Sequence, residues 1–360
     1  MKKNLLVMVF TILLCITVTY TEVLAASGGW VFPKYTADFK VHDKTYSIDA
    51  SSDCTSANFS CKNRKGTVSL IRKISGKEFG FDSQSISGAR FCCSYAGYLY
   101  LDCRAEMEEC GLFSLSVKDG KLKKIQDDMQ IYGLYQNRYI VLRSTEAGDY
   151  FPYQLMLYDI KTGKKKWINK QPTGHSYVEG KYVYYSKVPS TYYGSEFTCY
   201  ATICRYNVVT GRNTTLVKNL MLSDIEEINK DYVAYTIEPN TFKIVEFGKG
   251  KKVAPKDGEL YVNVNRGYRV KKPDCYALHI KGNTLTLYGS YKTKGKNDAK
   301  KAGMYKFTLS PTYKIGLYED GDIEYTNASR FNRFFDDKNF ENGGILTVKN
   351  GKVTEILMYP

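Results

Sequence analysis

Three histidines, ten cysteines and a few close carboxylates are the residues with the chemistry for catalysis, metal binding or cross-linking in this 360-residue chain. His42, His175 and His279 offer no H-E-x-x-H spacing, and no Ser stands in a G-x-S-x-G turn. His175 follows Thr173-Gly174, where a satisfied structural histidine is a simpler reading than a general base. Asp336-Asp337 and Asp322/Glu324 have the composition for glycoside chemistry, which needs two carboxyl groups roughly 5–10 Å apart. Acidic turn residues account for them more simply. Asp224-Ile-Glu-Glu227 lacks the Asp/Asn-Gly alternation of a calcium loop. The expectation is no catalytic residue, no metal and no cofactor.

The cysteines point to cross-linking instead. Cys54 and Cys61 have six residues between them, as do Cys103 and Cys110. Both pairs are expected in a loop between two strands, where a disulfide would pin the loop and add at most about 2–3 kcal/mol. Cys199 and Cys204 can pair only if Tyr200–Ile203 turns. In one extended strand they would lie ~16 Å apart, whereas a bridge needs Cα atoms within roughly 7 Å. Analogy with the other two pairs favours the turn. Cys92 and Cys93, on opposite faces of a strand, are expected to have separate partners. Cys15 lies in the N-terminal segment 1–25 expected to be cut off as a signal, so Cys275 makes nine cysteines in the remainder, an odd count that leaves a free thiol or an intermolecular bridge. No C-x-x-C pair or matched His spacing supports zinc.

Recognition residues are sought on loops. Tyr150-Phe151-Pro-Tyr153 and Thr191-Tyr192-Tyr193-Gly-Ser-Glu-Phe197 are aromatic stretches at equivalent points of a repeat. Tyr offers a rigid apolar face with a polar tip, suited to sugar rings or peptides, and loops on a rigid scaffold commonly carry recognition. Tyr150, Phe151, Tyr153, Tyr192, Tyr193 and Phe197 are the candidate ligand contacts; covering a neighbouring sheet is the competing role for them.

Compartment and charge narrow the partner. Lys2 and Lys3 precede the apolar stretch Leu5 to Val18, then polar Thr19–Glu22 and Val23-Leu-Ala-Ala26. This is the layout of a secretory signal, cut after Ala25 or Ala26. Its apolar core is shorter than the ~20 residues of a membrane span, and no second such segment follows, so no transmembrane span is expected after signal removal. The net charge is +15 for the whole chain, from 52 Lys plus Arg against 37 Asp plus Glu. That excess favours polyanions such as wall polymers, acidic glycans or anionic lipid heads. Nucleic acid is not expected, since no binding motif accompanies the charge.

All these residues must be held by strands. Tyr98-Leu-Tyr-Leu101, Tyr139-Ile-Val-Leu142, Tyr182-Val-Tyr-Tyr185 and Tyr232-Val-Ala-Tyr235 recur 41, 43 and 50 residues apart. Each is followed by a partner strand: Leu112–Val117, Leu155–Ile160, Ile203–Val208 and Ile244–Phe247. Gly120, Gly163 and Gly211 close three of these partners with the positive φ that tight turns need. A period of roughly 40–50 residues built from strands predicts a β-propeller, because one blade cannot bury its own faces. The expectation is an all-β, closed ring of about six or seven blades, a single domain over 26–360 after the signal at 1–25. Further copies are read at Lys44–Ile48 with Val68–Ile71, over Tyr261–Asp320, and over Asp322–Pro360, the last using Phe331–Phe335 as a strand. Trp30–Tyr35 is expected to complete the last blade and remove exposed edges.

Gly180-Lys-Tyr-Val-Tyr-Tyr-Ser186, Cys204–Gly211 and Leu155–Gly163 resemble segments of secreted, Tyr-rich, propeller-like proteins of Gram-positive bacteria, distantly similar to TolB-type propellers. The resemblance covers about the middle half of the chain and implies a fold, with no catalytic residue to carry across. The functional expectation is an exported, non-enzymatic binding or scaffold propeller, secreted or at the cell envelope, whose ligand is a protein or peptide, a glycan or an anionic wall polymer. The alternative is an extracellular polysaccharide hydrolase or lyase with an axial site.

Overall fold

The computed structural model describes residues 30–31, 38–81, 86, 88–105, 110–144, 153–189, 199–222, 225–237, 241–262, 275–319, 322–336 and 344–358. These fall into two compact units, residues 1–196 with 204–214 and residues 197–203 with 215–360.

Unit 1 is a series of antiparallel meanders. A short strand β1 (Trp30–Val31) is followed by the first sheet, β2 (Asp38–Val41), β3 (Lys44–Ala50), β4 (Ser56–Lys62) and β5 (Val68–Ser75), in sequence order. A single helical turn α1 (Gly76–Phe79) leads to the second sheet, β6 (Gly88–Tyr95), β7 (Tyr98–Arg104), β8 (Cys110–Ser116) and β9 (Leu122–Asp127). The third is β10 (Met129–Tyr135), β11 (Tyr139–Ser144), β12 (Tyr153–Asp159) and the first half of β13 (Lys164–Glu179). β13 then bends: Lys164–Thr173 pairs with β12, and Thr173–Glu179 pairs with β14 (Tyr182–Lys187). One long strand thus changes partners midway while the sheet stays continuous.

Patterning explains the stacking. Leu99, Leu101 and Cys103 of β7 join Tyr46, Ile48 and Phe59 in a core between the first and second sheets. The intervening Tyr100 joins Ile131, Ile140, Leu142 and Tyr158 in a core between the second and third. β7 is therefore buried on both faces and reads as a nearly continuous apolar run. β3 alternates, Tyr46 and Ile48 inward with Thr45, Ser47 and Asp49 between them, because the first sheet has a core on one face only.

The repeat places several strand pairs correctly: β7 with β8, β11 with β12, and β18 (Tyr232–Ile237) with β19 (Thr241–Glu246) in unit 2. The Gly turns match too, with φ of +67°, +69° and +70° at Gly120, Gly163 and Gly211, each N–H donating to a carbonyl four residues earlier, at Ser116, Asp159 and Asn207. Other expectations fail. Trp30–Val31 hydrogen-bonds β10, Trp30 opposite Tyr135, and does not complete a last blade. Ser56–Lys62 is itself a strand between the two segments expected to pair at the start of the chain.

Unit 2 contains β15 (Tyr200–Asn207) over Tyr200–Ile203, most of β16 (Asn213–Met221), and β17 (Ile225–Ile228), which pairs with β18. Its larger sheet is mixed. It comprises β20 (Lys251–Val253), β21 (Gly258–Val262), β22 (Cys275–Lys281), β23 (Thr284–Gly289), β24 (Tyr291–Thr293), β25 (Gly303–Glu319), β26 (Asp322–Tyr325), β27 (Gly344–Lys349) and β28 (Lys352–Met358). The 17-residue β25 pairs antiparallel with β23 along its first half and parallel with β28 along its second. Phe331–Phe335, read as a strand, lies in helix α2 (Ala328–Asp336). Asn327 starts that helix: its Oδ1 accepts the Arg330 N–H at 3.0 Å. Phe331 is buried among Leu278, Leu285 and Phe307.

Candidate functional site

The first sheet's outer face carries a polar cavity of about 670 Å³. Strand alternation builds it. Asp38 and Lys40 of β2 lie opposite Ser47 and Thr45 of β3, and Thr45 lies opposite Lys62 of β4. Directly opposed residues share a face, so Lys40, Thr45 and Lys62 form a row across three strands. At about 4.8 Å per strand the two lysine positions are ~10 Å apart. Phe39, Tyr46 and Cys61, one residue away on each strand, point into the core below.

Two turns frame the row. His42 opens the turn after β2 in the left-handed region, φ 56°, with Asp43 next to it. At the other side Asn63 Oδ1 accepts the N–H groups of Lys65 and Thr67, at 2.9 and 3.0 Å, which fixes the turn bearing Arg64. Ser47 Oγ donates to Asp38 Oδ1 at 2.6 Å. The lining therefore offers Lys40, Lys62 and Arg64 beside His42, against Asp38 and Asp43, with Asp38 already accepting a hydrogen bond. The arrangement suits a carboxylate, sulfate or phosphate lying between the ammonium groups. No sequence motif marked this face; the period-two alternation of Asp38, Lys40, Thr45 and Ser47 was its only signal.

Of the residues singled out in sequence, those that the structure describes are scattered. Tyr150, Phe151, Tyr192, Tyr193 and Phe197 lie outside the described residues. Tyr153 belongs to β12 and is 8% exposed. Its hydroxyl donates to Ser176 Oγ at 2.7 Å, and the Arg143 guanidinium sits 4.9 Å from its ring centroid. Burial raises this phenol above the usual range, with neighbouring Tyr132 adding to the effect and Ser176 and Arg143 opposing it. It is a neutral core side chain. His42, His175 and His279 belong to different elements: His42 is in the turn after β2, His175 is in β13 and His279 in β22. Glu324 of the Asp322/Glu324 pair is clasped by Arg330. Asp337 lies outside the described residues.

The expected disulfides are absent among the described residues, and strand geometry gives the reasons. Cys54 precedes β4 and Cys61 is near its far end, five residues beyond Ser56, a span of ~16 Å. Cys103 lies opposite Gly111, and Cys110 opposite Arg104, so the two cysteines face opposite sides of the sheet. Tyr200–Asn207 is one extended strand, so the turn needed for Cys199 to meet Cys204 is not formed. Cys92 and Cys93 are corrected in the other direction. The register slips between Phe91 and Cys93, which face Leu101 and Tyr100. This bulge leaves both cysteines in the same core, with their Sγ atoms 3.4 Å apart.

Beside them lies a buried ion pair, Arg90 with Asp102, whose side chains are 7% and 2% exposed. Asp102 Oδ2 also accepts the Ile131 N–H at 3.1 Å, tying the second sheet to the third. Burial pushes this carboxyl up, and Arg90 pulls it back down.

No family model matches the chain, and no curated protein does. Among solved structures, the chain is similar to the β-propeller domain of the Trilobed protease from Pyrococcus furiosus, at 8% identity and a TM-score of 0.34, over 89% of this chain and 95% of that one. It is also similar to the Pyrococcus horikoshii acylaminoacyl peptidase, at 9% identity and a TM-score of 0.33, over 90% of this chain and 52% of that one. Prolyl oligopeptidase B from Galerina marginata follows, at 9% identity and a TM-score of 0.32, over 81% of this chain and 33% of that one. Likenesses at these scores carry no activity to this chain. No helix among the described residues is long and apolar enough to cross a membrane.

Proposed function

We propose that this chain is an exported, non-enzymatic β-propeller of about six or seven blades that binds an anionic polymer at the cell envelope. The row Lys40–Thr45–Lys62 on the first sheet carries the proposal. A sheet holds the roots of the two lysine side chains at a fixed spacing, and Arg64 extends the positive edge. A polymer with regularly spaced carboxylates or phosphates matches such a row better than a single small anion does. The propeller reading is supported by successive four-stranded meanders that pack face to face through shared apolar cores. Export is supported by the basic start, short apolar run and small residues of positions 1–26.

The test is binding of the chain lacking residues 1–25 to a carboxylated glycan and to a phosphate-linked polymer, at low and high salt. Capture should weaken as salt rises, because exposed cations are screened. Replacing Lys40, Lys62 and Arg64 together by Ala should abolish it. Capture that is salt-resistant, or unchanged in the triple variant, overturns the assignment of the ligand to this face.

A further inference from the structure

We propose that Cys92 and Cys93 are a redox-active pair that closes into a disulfide between adjacent residues. In a regular strand neighbouring side chains point to opposite faces, and two such cysteines could not meet. Here the bulge between Phe91 and Cys93 inserts Cys92 as the extra residue. Both side chains then enter the core between the second and third sheets, and the Sγ atoms lie 3.4 Å apart. A disulfide needs ~2.0 Å, and consecutive Cα atoms, ~3.8 Å apart, are closer than the usual bridged pair, so closure turns both side chains and tightens an eight-membered ring through the peptide between them.

Other cysteines of the second sheet are excluded as partners by the same register. Cys103 belongs to the core on the opposite face. Cys110 shares β8 with Ser114, which is level with Tyr100 and hence with Cys93. Four residues separate Cys110 from Ser114, about 13 Å along the strand. Cys92 and Cys93 have each other.

The chemistry balances with a small-molecule disulfide as oxidant. The Cys92 thiolate attacks one sulfur of the oxidant, which releases the first thiol and leaves a mixed disulfide. The Cys93 thiolate then attacks Cys92 Sγ, forming the Cys92–Cys93 bond and releasing the second thiol. The pair loses two electrons to the oxidant, and its two thiol protons pass to the released thiolates. Cys92 is the entry point because it is 8% exposed against 2% for Cys93. Burial raises the Cys92 thiol well above its ordinary value, which lowers its thiolate fraction and slows closure in the folded chain. The inference does not depend on the ligand of the first sheet.

The experiment refolds the reduced chain with oxidised and reduced glutathione, blocks remaining thiols with iodoacetamide in denaturant, and digests with trypsin and chymotrypsin. Cutting after Phe91 and Tyr95 isolates Cys92-Cys93-Ser94-Tyr95 from Cys103. The majority of this peptide should be unalkylated and about 2 Da lighter than the dithiol, the loss of two hydrogens. Adding dithiothreitol before the block should convert it to the doubly alkylated form. Cys93→Ser should remove the light species. If refolding fails, prolonged incubation of the natively purified chain with excess oxidised glutathione gives the same readout. A peptide that is mainly alkylated on both cysteines, joined to glutathione, or cross-linked to a distant cysteine overturns the proposal.

Discussion

In unit 1 the strands of each meander hydrogen-bond the strands next to them in sequence, whereas in unit 2 β25 runs parallel to β28 and to β20. The difference decides how each unit protects its sheet edges and cores. Unit 1 stacks meanders, so the outer face of one sheet is the inner face of the next, and the Arg90–Asp102 pair is sealed where two sheets meet. Unit 2 uses a helix at the margin of its sheet. Asn332 of α2 receives the Ile280 N–H at 2.8 Å and donates to the Ile280 carbonyl at 2.9 Å. One side chain thereby stands in for a neighbouring strand along β22. Stacking regular meanders leaves a periodic signature, and an edge closed by a single amide leaves almost none.

Breaking the sealed pair should have the largest effect. Asp102→Ala removes the carboxylate that balances the buried Arg90 charge and should cost about 3–5 kcal/mol in urea denaturation. Replacing Arg90 and Asp102 together by Met and Leu should recover most of that loss, because an apolar pair of similar volume is often neutral. If the double replacement is as damaging as Asp102→Ala, the loss does not come from the unbalanced charge. In unit 2, Asn332→Ala leaves the Ile280 backbone groups unpaired and should cost about 1–3 kcal/mol. Hydrogen exchange at Ile280 should speed up in that variant while exchange in β7 stays unchanged.

Smaller effects separate surface from interior. Arg138 grips Asp159 through two hydrogen bonds, at 3.0 and 2.8 Å, and holds its carboxyl below the ordinary range. A depressed carboxyl stabilises the fold above its unfolded value of about 3.9 and loses that contribution as pH falls through the native value. Asp159→Asn should therefore cost about 1 kcal/mol or less at pH 7, the pair being partly exposed. The gap from the parent should close below about pH 4. Smallest of all, Lys40→Ala with Lys62→Ala should change stability by no more than about 0.5 kcal/mol, while polyanion capture falls. A large stability loss there would mean that the first sheet's outer face is structural.

The repeat was legible because a strand buried on both faces must be apolar at nearly every position, and β7, β11 and β12 are. The Gly turns were legible because positive φ selects glycine. Ser56–Lys62 escaped because polar residues punctuate it, and a hairpin partner that faces water on one side resembles a loop. Phe331 and its neighbours escaped because aromatic residues suggest strand, while the signal for helix was the single capping Asn327. The cation row was hidden in plain alternation: nothing in Lys40 or Lys62 taken singly says that β3 will set them side by side.

The sequence by itself determined an all-β chain, the pairing of its aromatic strands and the turns that end them, since these follow from local periodicity and backbone sterics. Only the tertiary structure decided which cysteines meet. Six intervening residues proved no guide to proximity, because Cys103 and Cys110 point to opposite faces of paired strands, while adjacent Cys92 and Cys93 share a face through a one-residue bulge. Side-chain direction depends on register, and register is fixed by the packing of whole sheets, which no local stretch of residues contains.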